Sequence, residues 1–163
     1  MKKLFIIVYA TMFLLGGCLQ KPKYAVTTSP ADTNFQVSKT NQEWKEVLSP
    51  LAFHVMREQG TEKAFSGKYW NYKKEGIYTC VACKNPLFSS KAKFDSGTGW
   101  PSYWAPLSKK SVNVKKDYSY GMVREEVHCS ACGGHLGHVF RDGPEPTRLR
   151  YCVNSVALDF KEK

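Results

Sequence analysis

The sequence contains no apolar run long enough to span a membrane comfortably. Leu4–Leu15 is nearly unbroken in its apolarity, yet it falls short of the roughly 20 residues a spanning helix needs. Internal repeats and low-complexity tracts are also missing, so the chain of 163 residues reads as one domain with room for an extension. Acidic residues are in short supply, 14 against 24 Lys and Arg, for a formal net charge of +10. Even so, no dense basic stripe with interleaved aromatics is present, which argues against nucleic acid as a partner. The basic excess suits a solvated surface, anionic lipid headgroups or acidic protein surfaces. Charged residues make up 23% and hydrophobic residues 42%, which argues against global disorder. After Gly67 almost nothing follows the helical period.

The first residues have the form of an export signal. Met1-Lys2-Lys3 is a basic start, Leu4–Leu15 an apolar centre, and Leu15-Gly16-Gly17-Cys18 resembles a bacterial lipobox. Residues 1–17 are expected to be removed and Cys18 to be acylated, which anchors the protein to a membrane. In a two-membrane bacterium an Asp after the cysteine would suggest retention in the inner membrane; Leu19 points toward the periplasmic face of the outer one, and the choice between the two stays open. Residues 18–38 carry Pro22 and Pro30 and show no sustained period, so they read as lipidated cysteine plus tether. The folded domain is expected at 39–163, beginning near Ser38.

Within that domain, Thr40-Asn41-Gln42-Glu43 has capping-box spacing, and Ser49-Pro50 can cap and open a second helix. The second helix is expected to turn Leu51, Val55 and Met56 inward and to stop at Gly60. Short β-rich runs follow at Ile77–Val81, Val112–Lys115, Met122–His128 and Leu149–Leu158. Turn formers separate them, among them Asn85-Pro86, Gly133-Gly134 and Asp142-Gly143-Pro144. The sequence therefore predicts two small helices packed on an antiparallel β core.

Cys80-x-x-Cys83 and Cys129-x-x-Cys132 form two knuckles with matched spacing, suited to one tetrahedral Zn2+ per chain. Paired disulfides or a redox-active CxxC are the competing readings. Cys152 is left over, in Arg150-Tyr151-Cys152-Val153-Asn154. In a strand, Arg150, Cys152 and Asn154 share one face. A free thiol is only about 3% thiolate at neutral pH, and a neighbouring guanidinium favours the anion. An inert core thiol is the alternative. His135 and His138 can act as a proton-handling pair or simply pack. Gly97-Thr98-Gly99-Trp100-Pro101 is a tight loop presenting an indole.

Taken together and in order, these segments resemble the methionine-(R)-sulfoxide reductase family, the B-type enzymes, over about Trp44–Asp159. The matching stretches are Arg57-x-x-Gly60-Thr61-Glu62-x-Ala64-Phe65, both knuckles, Gly-Thr-Gly-Trp-Pro-Ser, Gly-His-Leu-Gly-His-Val-Phe and Arg-Tyr-Cys-Val-Asn-Ser. The resemblance implies a mainly β fold of two antiparallel sheets, a β-tent, with small N-terminal helices and a structural zinc site remote from the chemistry. It implies that Cys152 attacks the sulfoxide sulfur and is left as a sulfenic acid. His138 and His135 match the pair that supplies or orients the acid, and Trp100 matches the residue that holds the substrate methyl. Arg150, Asn154 and Asp142 match polar residues that tune the thiol.

One departure stands out. Many relatives carry a resolving cysteine where this chain has Thr98. Here the resemblance implies a single-thiol enzyme, recycled by an external, thioredoxin-like reductant and acting as a monomer on oxidised proteins and peptides. A ligand-binding module built on the same zinc frame is the runner-up, and a CxxC thiol-disulfide oxidoreductase is a third reading.

Overall fold

The computed structural model describes residues 35–163. The expected export signal, Cys18 and most of the expected tether lie outside the described residues. Contacts with the domain begin before Ser38: the Val37 N–H donates to Ala131 O at 2.8 Å, and Phe35 lies edge-on to His128.

Helix α1 (Asn41–Val47) opens with the expected capping box, Thr40 and Glu43 each accepting the other's backbone N–H. Helix α2 (Pro50–Glu58) opens with the Ser49 hydroxyl accepting the Ala52 N–H at 3.2 Å. It ends earlier than Gly60, because Gln59 takes the left-handed cap at φ 57°. Val55 and Met56 are buried as expected, with Ala52 and Phe53 beside them. Leu51 is not, at 48% exposed. The buried stripe centres on Ala52 and Met56, which leaves Leu51 at its margin.

The strands are β1 (Gly76–Cys80), β2 (Pro86–Ser89), β3 (Lys93–Phe94), β4 (Ser102–Tyr103), β5 (Val112–Asp117), β6 (Arg124–Cys129), β7 (His135–Phe140), β8 (Arg150–Val153) and β9 (Leu158–Glu162). They build two antiparallel sheets, one ordered β2-β1-β9 and the other β3-β4-β8-β7-β6-β5. The sequence-based fold class, two antiparallel sheets with small N-terminal helices, is the one observed. Aromatic side chains fill the space between the sheets. Tyr78 of β1 meets Tyr103 of β4 edge-on, and Phe88 of β2 stacks on Tyr103 with centroids 4.3 Å apart. Such pairs add specific geometry to a large buried area.

Three strand expectations need correction. Pro86 opens β2 rather than closing a turn; β2 is an edge strand, where a missing N–H costs no ladder bond. The run Leu149–Leu158 is not one strand: it contains β8, a 3-10 turn at Ser155–Ala157, and β9 in the other sheet. The buried Glu62 carboxylate takes the Ser155 and Val156 N–H groups at 2.5 and 2.9 Å, which removes them from any ladder. Finally, β7 is absent from the expected β runs, because Gly137 weakens its strand signature. Gly137 is required there by close approach: a Cβ would collide with the Cys152 carbonyl oxygen.

Candidate active site and four-cysteine cluster

The two knuckles are built alike. In the first, the Cys80 N–H donates to Asn85 O and Cys80 O accepts from Lys84; in the second, the Cys129 N–H donates to Gly134 O and Cys129 O accepts from Gly133. Lys84 and Gly133, equivalent positions, are both left-handed at φ 63° and 68°. The sulfurs of Cys80, Cys83, Cys129 and Cys132 all lie within 4.8 Å of one another. Cys80–Cys132 and Cys83–Cys129 are 3.7 and 3.6 Å apart, far beyond a disulfide bond. A zinc tetrahedron with Zn–S near 2.3 Å has S–S edges of about 3.8 Å, so the donor set fits such an ion. The four cysteines therefore form a cluster consistent with a structural metal site. Asn85 Nδ2 donates to Cys129 Sγ at 3.5 Å, and Arg57, with its guanidinium 3.9 Å from the Trp44 ring, donates to Cys132 O at 3.0 Å. Helices and cluster are thereby joined.

Cys152 lies elsewhere. It is the one described cysteine outside the cluster, and it sits half-buried on β8 in a concavity of about 160 Å³. Trp100, His138, Phe140, Arg124, Thr61 and Asn154 contribute to its walls. A space this small suits a side chain better than a nucleotide-sized cofactor.

Strand register brings the chemistry together. Across the large sheet, Ser102, Cys152, His138 and Glu126 are successive paired residues on β4, β8, β7 and β6. Cβ atoms of directly facing residues are about 4.5–5.5 Å apart, so Cys152 and His138 are neighbours. One step along the same face, Phe140 faces Arg150, whose guanidinium lies 4.5 Å from its ring centroid.

The Cys152 thiol is pushed up by burial; the Arg150 guanidinium and the Thr98 hydroxyl pull the other way without cancelling it. Thr98 Oγ1 is 4.0 Å from the sulfur and hydrogen-bonds Ser96, which bonds Ser102 in turn at 2.7 Å. His138 is likewise held below its ordinary range by burial, despite its 2.8 Å bond from Nε2 to Asp117 Oδ2. Asp117 stays ionised far below the usual carboxylate range, because Ser119 hydroxyl and N–H donate to it, then His138. The neutral His138 must therefore carry its proton on Nε2, leaving Nδ1 as an acceptor.

The other predicted site residues occupy supporting positions. His135 is buried behind His138, their rings 5.4 Å apart, with Nδ1 at 3.0 Å from Glu126 Oε1. It does not line the Cys152 concavity. Burial opposes ionisation of Glu126, but His135 and Lys115 outweigh it and hold the carboxyl below its usual range. Asp142 grips Arg150 with both oxygens, at 2.9 and 2.8 Å, and stands outside the concavity. Asn154 follows the last residue of β8; its Oδ1 accepts the Glu62 N–H at 2.9 Å and its Nδ2 donates to Leu136 O at 3.0 Å. Trp100 is fixed by its indole N–H donating to Glu62 O at 3.1 Å. Residue Glu62 thus holds Trp100, Asn154 and the 3-10 turn at once. Asp117 and Arg124, ion-paired at 2.7 Å, are site residues the sequence did not reveal. Their only sequence signal is a pair of charges around a turn, and it is the β5–β6 register that brings them to His138.

Comparison with known proteins agrees with this geometry. The family model described as the SelR domain matches residues 48–162. A protein named peptide methionine sulfoxide reductase MsrB from Thioalkalivibrio sulfidiphilus is 57% identical over 122 residues, covering 75% of this chain and 89% of its own. Proteins of the same name from Methanosarcina barkeri and Agrobacterium fabrum are 57% identical over 125 residues and 50% over 129, covering 77% and 79% of this chain and 88% and 96% of theirs. With the model spanning most of the chain and such relatives aligned almost end to end, the chain belongs to the SelR domain family of MsrB-type oxidoreductases.

Proposed function

We propose that the protein reduces methionine-(R)-sulfoxide in proteins and peptides to methionine, with Cys152 as the nucleophile. The observation that carries this reading is the pairing of Cys152 with His138 across β7 and β8, at the wall of a concavity that suits a side chain. At rest both groups are neutral. His138, anchored through Nε2 to Asp117, accepts the Cys152 proton on Nδ1, and the thiolate attacks the sulfoxide sulfur. His138 then protonates the sulfoxide oxygen. Methionine leaves as the thioether, the oxygen stays on Cys152 as a sulfenic acid, and the two-electron oxidation of Cys152 balances the reduction of substrate. The Trp100 ring accommodates the methyl group, Arg150 stabilises the thiolate with Asp142 orienting it, and His135 and Asn154 hold the walls. The four cysteines Cys80, Cys83, Cys129 and Cys132 hold Zn2+, which shapes the fold and takes no part in the reaction.

Among the described residues no other thiol lies outside the cluster, and Thr98 occupies the place beside Cys152. The sulfenic acid is therefore reduced by an external thiol: the first thiolate displaces water, and a second thiol releases the mixed disulfide. A thioredoxin-like protein beyond the cytoplasm supplies these thiols. Residues 1–17 direct export and Cys18 carries the lipid; intact mass of membrane-extracted protein starting at an acylated Cys18 supports this, and a free Cys18 overturns it.

The test is an assay of purified protein with both epimers of a methionine-sulfoxide peptide and dithiothreitol. Reduction of the R epimer, abolished in Cys152→Ser, with a dimedone adduct on Cys152 after one turnover without reductant, is expected. Reduction of the S epimer alone, or a Cys152→Ser variant as active as the parent, overturns the proposal.

A further inference from the structure

Apolar side chains crowd the tip of the β5–β6 hairpin. Tyr118, Tyr120, Met122 and Val123 are 70%, 86%, 48% and 69% exposed. Single exposed apolar residues need no explanation, but a group of them beside a site does.

The tip is braced. Tyr120 and Gly121 are both left-handed, at φ 56° and 68°, and a bulky aromatic adopts that conformation only where its surroundings impose it. Asp117 Oδ1 accepts the Ser119 N–H at 2.9 Å, and Arg124 Nη2 donates to Asp117 Oδ2 at 2.7 Å and to Ser119 Oγ at 3.0 Å. The Arg124 guanidinium also lies 5.8 Å from the Tyr120 ring centroid. The Asp117 that closes the hairpin is the one that anchors His138.

The tip reaches the site through Tyr120. Tyr120 and Arg124 line a second concavity of about 260 Å³, which shares Thr61, Arg124 and His138 with the one at Cys152. Because the Cys152 concavity is small and opens to the surface, a polypeptide substrate that places its oxidised methionine there lays its flanking residues on the rim. Methionine is mostly a core residue, and its oxidation disrupts cores, so the segments around an oxidised methionine present apolar neighbours once the client opens.

We propose that the tip formed by Tyr118, Tyr120, Met122 and Val123 is a docking ledge for apolar side chains flanking the oxidised methionine of an extended client polypeptide. This rests on the reductase reading above and adds where the client chain lies. Folded, polar-surfaced partners and short substrates make no use of the ledge.

The experiment compares parent, a Tyr118→Ser/Tyr120→Ser double variant, Val123→Ser and a control, Leu51→Ser, whose exposed side chain on α2 lines neither the Cys152 concavity nor the one at Tyr120. Substrates are N-acetylmethionine-(R)-sulfoxide and a peptide with Leu and Phe on either side of methionine-(R)-sulfoxide. Losing the partial burial of two aromatics should raise KM for the peptide about tenfold in the double variant, with kcat and all kinetics on the small substrate unchanged. Val123→Ser should act in the same direction, and Leu51→Ser should match the parent. An unchanged peptide KM, or a parallel loss on both substrates, overturns the ledge while leaving the reductase reading intact. A parent that turns over neither substrate overturns the reductase reading and the ledge with it. A parent dimer by sedimentation, or binding to anionic lipid vesicles, that the double variant loses with peptide KM unchanged assigns the patch to a second copy or a membrane and also overturns the proposal.

Discussion

At Cys152, loss of solvation raises the thiol above its ordinary value, and Arg150 and Thr98 offset only part of that rise. The sequence suggested a guanidinium favouring the anion. Arg150 does act in that sense, but it is itself tied up by both oxygens of Asp142, whose charge works against the thiolate. A raised pKa means a neutral thiol at pH 7 and a reactivity that climbs through alkaline pH. Iodoacetamide alkylation of the substrate-free protein should accordingly show a midpoint above the roughly 8.5 of free cysteine. Arg150→Gln should move that midpoint higher still, because it removes a stabiliser of the charged form. A rate that levels off below pH 8 would mean that the charges, not burial, dominate. The same logic suits the proposed reaction, in which a buried thiol kept protonated beside a neutral histidine becomes nucleophilic only when that histidine takes its proton.

Local chemistry was readable at the level of single elements wherever the signal is local. Thr40 and Ser49 mark their helix starts because a cap depends on neighbours three residues away. The paired CxxC knuckles are readable for the same reason, since each is a closed turn with its own hydrogen bonds. What escaped reading depends on contacts distant in sequence. The break between β8 and β9 is made by Glu62, more than ninety positions away from Ser155. Asp117 and Arg124 look like ordinary surface charges until the antiparallel register of β5, β6 and β7 delivers them to His138. The strand β7 was hidden by a glycine whose reason is the Cys152 carbonyl on the adjacent strand. Of the residues assigned to the chemistry, Cys152 and His138 meet directly in register, whereas His135 and Asp142 each reach the site through one intermediary.

For the whole molecule, the cluster and the candidate active site divide the work. Cys80 ends β1 of the small sheet and Cys129 ends β6 of the large one, so an ion held by the four sulfurs pins the two sheets together. No cluster cysteine lines the Cys152 concavity. A domain with this much loop and two thin sheets depends on such a staple, because metal affinity in a closed four-thiolate site is folding free energy. Cys83→Ser should lose the metal and melt lower on the order of 10–20 °C, the scale expected when a change of a few kcal/mol falls on a domain of this size. Turnover measured at low temperature, before unfolding sets in, should fall far less than the melting temperature suggests, since the row from Ser102 through Cys152 to His138 is built from strand register and from Glu62 rather than from the metal. Elemental analysis and thermal melts of parent and variant, read beside initial rates, test both halves. Less than about half a zinc per folded parent chain would refute the ligand set. A folded, low-temperature Cys83→Ser protein whose activity is gone would show that the cluster reaches into the chemistry after all.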